Sequence, residues 1–195
     1  YKQDFEKANR LLDEAGYPRN EMGERFSFRM TYMPEKAGIN RKIAEYLRQL
    51  FLRNLGVETI VEHPEDFNAW MQKVASWDFD ATLDDVFNWG DPVIGVHRTY
   101  SSSNIRKGVL WSNTQGYSNP EIDALLEQAA SEFDFQKRYA LYRKFQKIIT
   151  DELPVYPLYQ PFFAIAYDRN LGGVNESVWG LMTPLDTVYW KQVKR

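Results

Sequence analysis

Hydrophobic residues in the first half of the chain alternate between a helical spacing and a period of two. The helical spacing predicts three amphipathic helices, and the period of two or a run of β-branched residues predicts three strands. The predicted strands cover about 25–33, 57–62 and 79–83. Gly56 ends the second helix directly before a strand, so a strand, a helix and a strand follow in close order. This order indicates a βαβ unit with parallel strands.

The periodicity fails over 84–119, where Asn, Ser, Gly and Pro predict loops and short turns. Two helices with clear apolar stripes follow, and the first of them begins at Asn119 and Pro120. Prolines then punctuate an aromatic segment over 153–167, which predicts an edge or crossing strand. We therefore predict an α/β domain over 1–171 and a separate tail over 172–195.

Composition narrows the choice of partner and chemistry. Lys and Arg total 24 against 27 Asp and Glu, so the net charge of −3 gives no electrostatic case for nucleic acid. The absence of cysteine excludes disulfides and thiol chemistry. The longest apolar run, 162–167, is too short to span a bilayer. Aromatic residues make up 15% of the chain, a surplus that suits a pocket for an organic ligand.

Ligands of open parallel sheets bind beyond the carboxyl ends of the strands. Two predicted strands end at such an edge, and polar and aromatic residues follow them. The candidate ligand-binding residues are Tyr32, Asp85, Phe87, Asn88, Trp89 and Asp91. The structural alternative is that Trp89 lies in the core and that Asp91 with Pro92 only caps a short helix.

Signals for catalysis, metals and cofactors are poor. His63 and His97 stand alone, without the spacing of a zinc helix or a serine elbow nearby. Asp85 with Asp91 is the one candidate acid/base pair, and it keeps open a carboxylate hydrolase acting on glycosides or peptides. A structural interaction module without a ligand is a third alternative. We expect no catalytic residue, no bound metal and no cofactor.

Several short motifs occur in order along almost the whole chain. They are Asp4 to Ala8, Leu11 to Pro18, Trp89 to Pro92, Gly116 to Asp123, Arg138 to Tyr142 and Glu152 to Pro154. Together they resemble the C-terminal part of the family 5 extracellular solute-binding proteins, the peptide, nickel and opine receptors of bacterial ABC importers. The resemblance implies a type II periplasmic-binding-protein-like lobe with a mostly parallel sheet, flanking helices and a C-terminal crossing tail.

The resemblance also implies partners and a location. Such receptors lie in the periplasm, begin as precursors with a signal peptide, and close two lobes on a ligand like a flytrap. This chain would then supply the second lobe, bind an oligopeptide or similar small polar solute, and present it to an inner-membrane ABC permease. Its tail over 172–195 would return to an N-terminal lobe not included in this sequence. Without that lobe, we expect the tail to pack on its own lobe or to exchange with a second copy in a dimer.

One position departs from the pattern of the peptide-binding members. They carry an aspartate four residues before the proline, where it holds the α-ammonium of the ligand, and this chain has Asn88 there. An amide cannot supply the ion pair. The sequence therefore argues against a requirement for a free peptide N-terminus, unless Asp84, Asp85 or Asp91 replaces the missing carboxylate.

Overall fold

A computed structural model of the chain describes residues 2–35, 38–160, 164–174, 177, 179 and 182–191. The chain forms two compact units. The first unit holds Tyr1–Val86 and Ile105–Thr114, and the second holds Phe87–Asn104 and Gln115–Arg195. Among the described residues, no helix combines the length and the apolar character that a membrane span needs.

The first unit is a three-stranded parallel sheet with helical connections. Its elements are α1 (Phe5–Glu14), β1 (Ser27–Tyr32), α2 (Ile39–Leu55), β2 (Glu58–Val61), α3 (Phe67–Ser76) and β3 (Ala81–Leu83). The strand order is β2-β1-β3, and β1 runs parallel to both neighbours. The predicted parallel βαβ arrangement is confirmed.

Local sequence signals set the helix ends of this unit. The Asp4 side chain accepts a hydrogen bond from the Lys7 amide at 2.8 Å and so caps α1. Gly56 ends α2 in the left-handed conformation, with φ 68°. Arg25 then joins the two helices, since its buried guanidinium pairs with Asp13 on α1 at 2.5 Å and donates to the Leu55 carbonyl at 2.9 Å.

The core of the first unit lies on the α2 face of the sheet. Met30, Tyr32 and Ala44 are buried there, with partly buried residues such as Phe51 around them. The alternation of β1 explains the pattern, because every second side chain of a strand faces the same layer. Trp70 of α3 is fully buried as well, and its indole N–H donates to Thr82 Oγ1 of β3 at 3.1 Å.

The second unit is mainly helical. Its elements are α4 (Pro92–Tyr100), a 3-10 turn (Ser102–Asn104), α5 (Pro120–Ser131), α6 (Phe135–Glu152), β4 (Leu171–Gly172) and β5 (Tyr189–Trp190). Ile122, Leu126 and Phe145 are buried in its core, and Val96 and Tyr100 of α4 pack against them. The two helices predicted after Asn119 are confirmed.

The expectation of loops throughout 84–119 is wrong, because α4 lies inside this segment. Asp91 caps α4 by accepting from the Val93 amide at 2.9 Å, and Pro92 occupies its first turn. Glycine and β-branched residues have low helix propensity and conceal the helix in the sequence. Packing of Val96 and Tyr100 on the α5–α6 core outweighs that propensity.

The expected strand over 153–167 is also absent from the described part of that segment. Residues 153–160 and 164–167 form neither strand nor helix, and residues 161–163 lie outside the described residues. Pro154 and Pro157 remove two backbone donors from the segment, which is the physical reason that a ladder is disfavoured there.

The first and last described parts of the tail come together. β4 and β5 pair antiparallel, with Leu171 opposite Trp190 and Gly172 opposite Tyr189. Thr187 Oγ1 adds a hydrogen bond to the Gly173 carbonyl at 3.0 Å. The expected boundary between 171 and 172 falls within β4. The return of the tail to another lobe and its exchange in a dimer stay predictions.

Candidate functional site

The six residues predicted from the sequence divide between the two units. Tyr32 and Asp85 belong to the first unit, whereas Phe87, Asn88, Trp89 and Asp91 belong to the second. Each group is described within its own unit.

In the first unit, β1 and β3 end at the same edge of the sheet. Tyr32 lies opposite Leu83, and the Met33 amide donates to the Leu83 carbonyl at 2.8 Å. Asp84 and Asp85 follow β3 directly, so the two carboxyl groups begin at the edge where ligands of open parallel sheets bind.

Tyr32 has structural partners. Its side chain is 5% exposed and belongs to the sheet core. Its hydroxyl lies 2.9 Å from His63 Nδ1, and His63 Nε2 lies 3.5 Å from a Glu45 carboxylate oxygen. These contacts favour a structural role for the ring, and a ligand contact by Tyr32 stays a prediction.

Asp84 and Asp85 give this edge its charge. Burial raises the pKa of Asp84 to about 6, although its carboxylate accepts from the Asp85 amide at 2.6 Å. Burial also raises the pKa of Asp85, and the negative charge of Glu35 adds to the shift. Among the described residues, neither aspartate has a cationic side chain within ion-pair distance. The edge can therefore accept hydrogen bonds or attract a cationic group.

The raised pKa of Asp84 predicts a pH-dependent stability. Asp84 does not destabilise the fold below its ordinary pKa of 3.8, where it is protonated in both states. Its ionisation lowers the free energy of unfolding increasingly between about pH 4 and 6, and the whole loss is present above pH 6. We expect Asp84→Asn to raise the free energy of unfolding at pH 8 by about 1–2 kcal/mol, a value reduced for partial exposure. Urea titrations at pH 4, 6 and 8 measure the difference.

The exposed Asp186 provides the control for this prediction. Asp186→Asn removes the same charge at an exposed position and should change the free energy of unfolding at pH 8 by less than about 0.5 kcal/mol, whereas the gain from Asp84→Asn should fade towards pH 4. A gain from Asp84→Asn that is equal at pH 4 and pH 8 would contradict the assignment of the titration to Asp84.

In the second unit, the residues before α4 form an aromatic turn. The rings of Phe87 and Trp89 stack at 5.5 Å with an angle of 24° between their planes. Asn88 between them is exposed, and Trp89 adopts φ 38°, which is uncommon for a residue other than glycine. Gly95 of α4 packs directly on the backbone of this turn, since a Cβ there would lie 2.6 Å from Asn88 Cα.

Asp91 has two structural partners within the second unit, and both bind its carboxylate oxygen Oδ1. Besides capping α4, its carboxylate pairs with Arg138 Nη2 of α6 at 2.7 Å. The hydrogen bond from Arg138 is the main reason that the pKa of Asp91 is lowered. Arg138 is itself held by the Ala129 carbonyl at 3.0 Å and lies over the Tyr142 ring. This arrangement favours the structural alternative for Asp91, and its role in ligand binding stays a prediction.

His97 extends the same network. Its Nε2 lies 2.9 Å from the Tyr142 hydroxyl, and burial lowers its pKa. A neutral imidazole that serves as a hydrogen-bond partner of a packed tyrosine is typical of a structural histidine. No three His, Asp or Glu side chains come together as a metal site in the described part of the chain.

Sequence reasoning missed Trp179 as a neighbour of the aromatic turn. Its ring stacks on Trp89 with centroids 5.0 Å apart and 23° between the planes. The sequence placed Trp179 in a separate tail, and the only hint of such a contact was the surplus of aromatic residues. Nothing in local periodicity links two residues so far apart along the chain.

Comparison with known proteins supports the resemblance seen in the motifs. Residues 1–107 match the family described as bacterial extracellular solute-binding proteins, family 5 Middle. The oligopeptide-binding protein OppA of Bacillus subtilis is 31% identical over 136 residues, which cover 68% of this chain and 23% of OppA. The chain thus spans about a quarter of the length of the curated relatives that it matches.

Solved structures show the same fold. The oligopeptide-binding protein AppA of Bacillus subtilis, in complex with a nonapeptide, matches 98% of this chain and 38% of its own, with a TM-score of 0.75 and 22% identity. The periplasmic binding protein DppA of Helicobacter pylori, in complex with the peptide STSA, matches 98% and 35%, with a TM-score of 0.73 and 23% identity. These matches confirm the expected periplasmic-binding-protein-like fold. The family match over more than half of the chain shows that this chain belongs to the family 5 bacterial extracellular solute-binding proteins.

Proposed function

We propose that this chain is a ligand-binding lobe of the periplasmic receptor of an ABC importer, and that it binds an oligopeptide or a similar small polar organic solute. The observation that carries the proposal is the exposed Asn88, which lies in the sequence between Phe87 and Trp89, two residues whose rings stack on each other. A side-chain amide can both donate to and accept from a peptide group, and flat rings pack against the apolar parts of such a ligand.

Family membership supports this proposal. Members of the family are binding proteins, and the relatives named above carry oligopeptide-binding or peptide-complex descriptions. Since the chain spans about a quarter of their length, we infer that a further lobe supplies the other side of the ligand. Closure of both lobes on the ligand would create the surface that an inner-membrane permease recognises.

The contacts of Asp91 weigh against the hydrolase alternative. A carboxylate hydrolase needs one carboxyl group that stays protonated as an acid and a second that acts as base or nucleophile. The pKa of Asp91 is lowered and its carboxylate is already paired with Arg138, so it is a poor general acid. Among the described residues, Asp84 is the one carboxyl group whose pKa burial raises to about 6, and its carboxylate already accepts a hydrogen bond from the Asp85 amide at 2.6 Å.

The neutral side chain of Asn88 leads to a test of the proposal with peptides. We expect the native protein to bind trialanine and N-acetyl-trialanine with affinities within about threefold of each other, because Asn88 offers no negative charge to the ammonium group. Asn88→Asp should create a preference of at least about tenfold for the free amine, since a desolvated ion pair contributes strongly. Isothermal titration calorimetry of the protein at its full encoded length measures both affinities.

The exposed Asn170 in the same unit provides a charge-matched control. Asn170→Asp adds the same negative charge away from the aromatic turn and should leave both affinities unchanged. If neither peptide binds the native protein, the proposed binding of short alanine peptides is wrong. If the native protein already prefers the free amine strongly, another carboxylate holds the ammonium, and the role given to Asn88 is wrong.

A further inference from the structure

The tail carries one ring into the aromatic turn of the second unit. The ring of Trp179 stacks on that of Trp89 at 5.0 Å, and the ring of Trp89 stacks on that of Phe87 at 5.5 Å. Trp89 therefore has two stacked ring partners, one before it and one after it in the sequence. All three residues belong to the same unit. The three rings therefore form one packed group, which we call the aromatic stack: Phe87, Trp89 and Trp179.

Trp89 is the fixed member of the aromatic stack. Its backbone sits at φ 38°, a conformation that costs energy and is maintained only where the surroundings enforce it. The close approach of Gly95 to the backbone of Phe87 and Asn88 supplies that support. With two stacked partners, the indole of Trp89 has little face left on which a further planar group could lie.

Trp179 is the most exposed member of the aromatic stack. Its residue is 41% exposed, against 39% for Phe87, and Trp89 is only partly exposed. The ring is held in place by its contact with Trp89, and its backbone is held by local hydrogen bonds, from its own amide to Ser177 Oγ at 3.2 Å and from the Met182 amide to its carbonyl at 3.1 Å. An anchored and exposed indole loses little conformational entropy when a second ring packs on it.

We propose that Trp179, supported from behind by Trp89, is the ring on which the ligand stacks, and that it selects ligands with an aromatic side chain. This inference rests on the proposed function. The sequence assigned the ligand contact to Trp89, but in the structure Trp89 acts as a positioning residue for Trp179. The tail thus contributes to ligand specificity, and it does so within its own unit.

The test compares two peptides that differ by one ring. Ala-Phe-Ala and Ala-Ala-Ala are titrated calorimetrically into the native protein, Trp179→Ala, Trp179→Phe and the control Trp190→Ala, each at full encoded length. Trp190 is a second exposed tryptophan of the tail, at 66% exposure. Thermal melting followed by circular dichroism checks that each variant folds.

We expect the native protein to bind Ala-Phe-Ala about tenfold more tightly than Ala-Ala-Ala, which corresponds to the gain from one aromatic contact and its buried area. Trp179→Ala should abolish this tenfold preference and leave the affinity for Ala-Ala-Ala within about twofold of the native value. Trp179→Phe should restore most of the preference, and Trp190→Ala should keep all of it. If Trp179 has only a structural role, Trp179→Ala should instead lower the affinity for both peptides by the same factor.

The outcomes separate this inference from the function on which it rests. If Trp179→Ala keeps the preference for Ala-Phe-Ala, or weakens both peptides equally, the inference is overturned and the proposed function stands. If neither peptide binds the native protein, the inference fails, and the peptide-binding form of the proposed function fails with it. If Trp179→Ala does not fold, Trp179→Phe decides, because a loss of preference with a phenyl ring in place overturns the stacking role.

Discussion

Replacing Trp70 by alanine is expected to lower the free energy of unfolding of the first unit by about 3–5 kcal/mol. The side chain is fully buried between α3 and the sheet, and its ring lies 5.5 Å from that of Phe67. Truncation would leave a cavity and would also remove the donor to Thr82 Oγ1. Urea unfolding followed by far-ultraviolet circular dichroism gives the loss, and hydrogen exchange of α3 and β1 amides assigns it to the first unit.

Two further variants test the physical cause. Trp70→Phe retains much of the volume but not the indole N–H, so we expect a smaller loss of about 1–2 kcal/mol. Trp77 caps the C-terminus of the same helix and is 39% exposed. Trp77→Ala should therefore lower the free energy of unfolding by less than about 1 kcal/mol. A cost for Trp70→Ala no larger than that for Trp77→Ala would show that burial of Trp70 does not stabilise the unit.

The second large effect is expected at Gly95. A side chain there would meet the Phe87 carbonyl and would lie 2.6 Å from Asn88 Cα, so α4 or the turn must move. We expect Gly95→Val to lower the free energy of unfolding of the second unit by about 2–3 kcal/mol. Gly95→Ala should cost less, because alanine regains up to about 1 kcal/mol of helix propensity. Urea unfolding of both variants measures this order.

The same substitutions reach the aromatic stack. Displacing the backbone of Phe87 and Asn88 should move the Trp89 ring on which Trp179 stacks. Gly95→Val should therefore change the tryptophan fluorescence and the near-ultraviolet circular dichroism of the stacked indoles. Ile94→Ala, at a neighbouring position of α4 that is 47% exposed, is the control and should change neither signal. Unaltered near-ultraviolet spectra in a folded Gly95→Val protein would mean that α4 does not position the turn.

The helices and strands of the first unit were predictable because their signals are local. Asp4 caps α1, Gly56 stops α2, and the alternation along β1 shows which residues face the core. The parallel sheet followed from the short connections between these elements. The sequence indicated α4 only as the alternative that Asp91 and Pro92 cap a short helix, because its residues are weak helix formers and packing on the α5–α6 core stabilises it.

The candidate site was only partly predictable. Phe87 and Trp89, two of the predicted ligand-binding residues, stack on each other, and a ligand contact by either stays a prediction. The engagement of Asp91 by Arg138 and the burial of Tyr32 beside His63 depend on side chains from distant segments. A sequence can show that a carboxylate or a phenol is present, but its partner decides whether it is available to a ligand.

By itself, the sequence determined the α/β class, the order of most elements and, through its ordered motifs, the family. It could do so because caps, glycine stops and hydrophobic periods act over a few residues, where the chain fixes its own geometry. Tertiary structure alone decided that the Trp179 ring stacks on Trp89 and that Arg138 forms an ion pair with Asp91. Such contacts form only when segments far apart in the chain pack together, and the burial and pKa of each group follow from that packing.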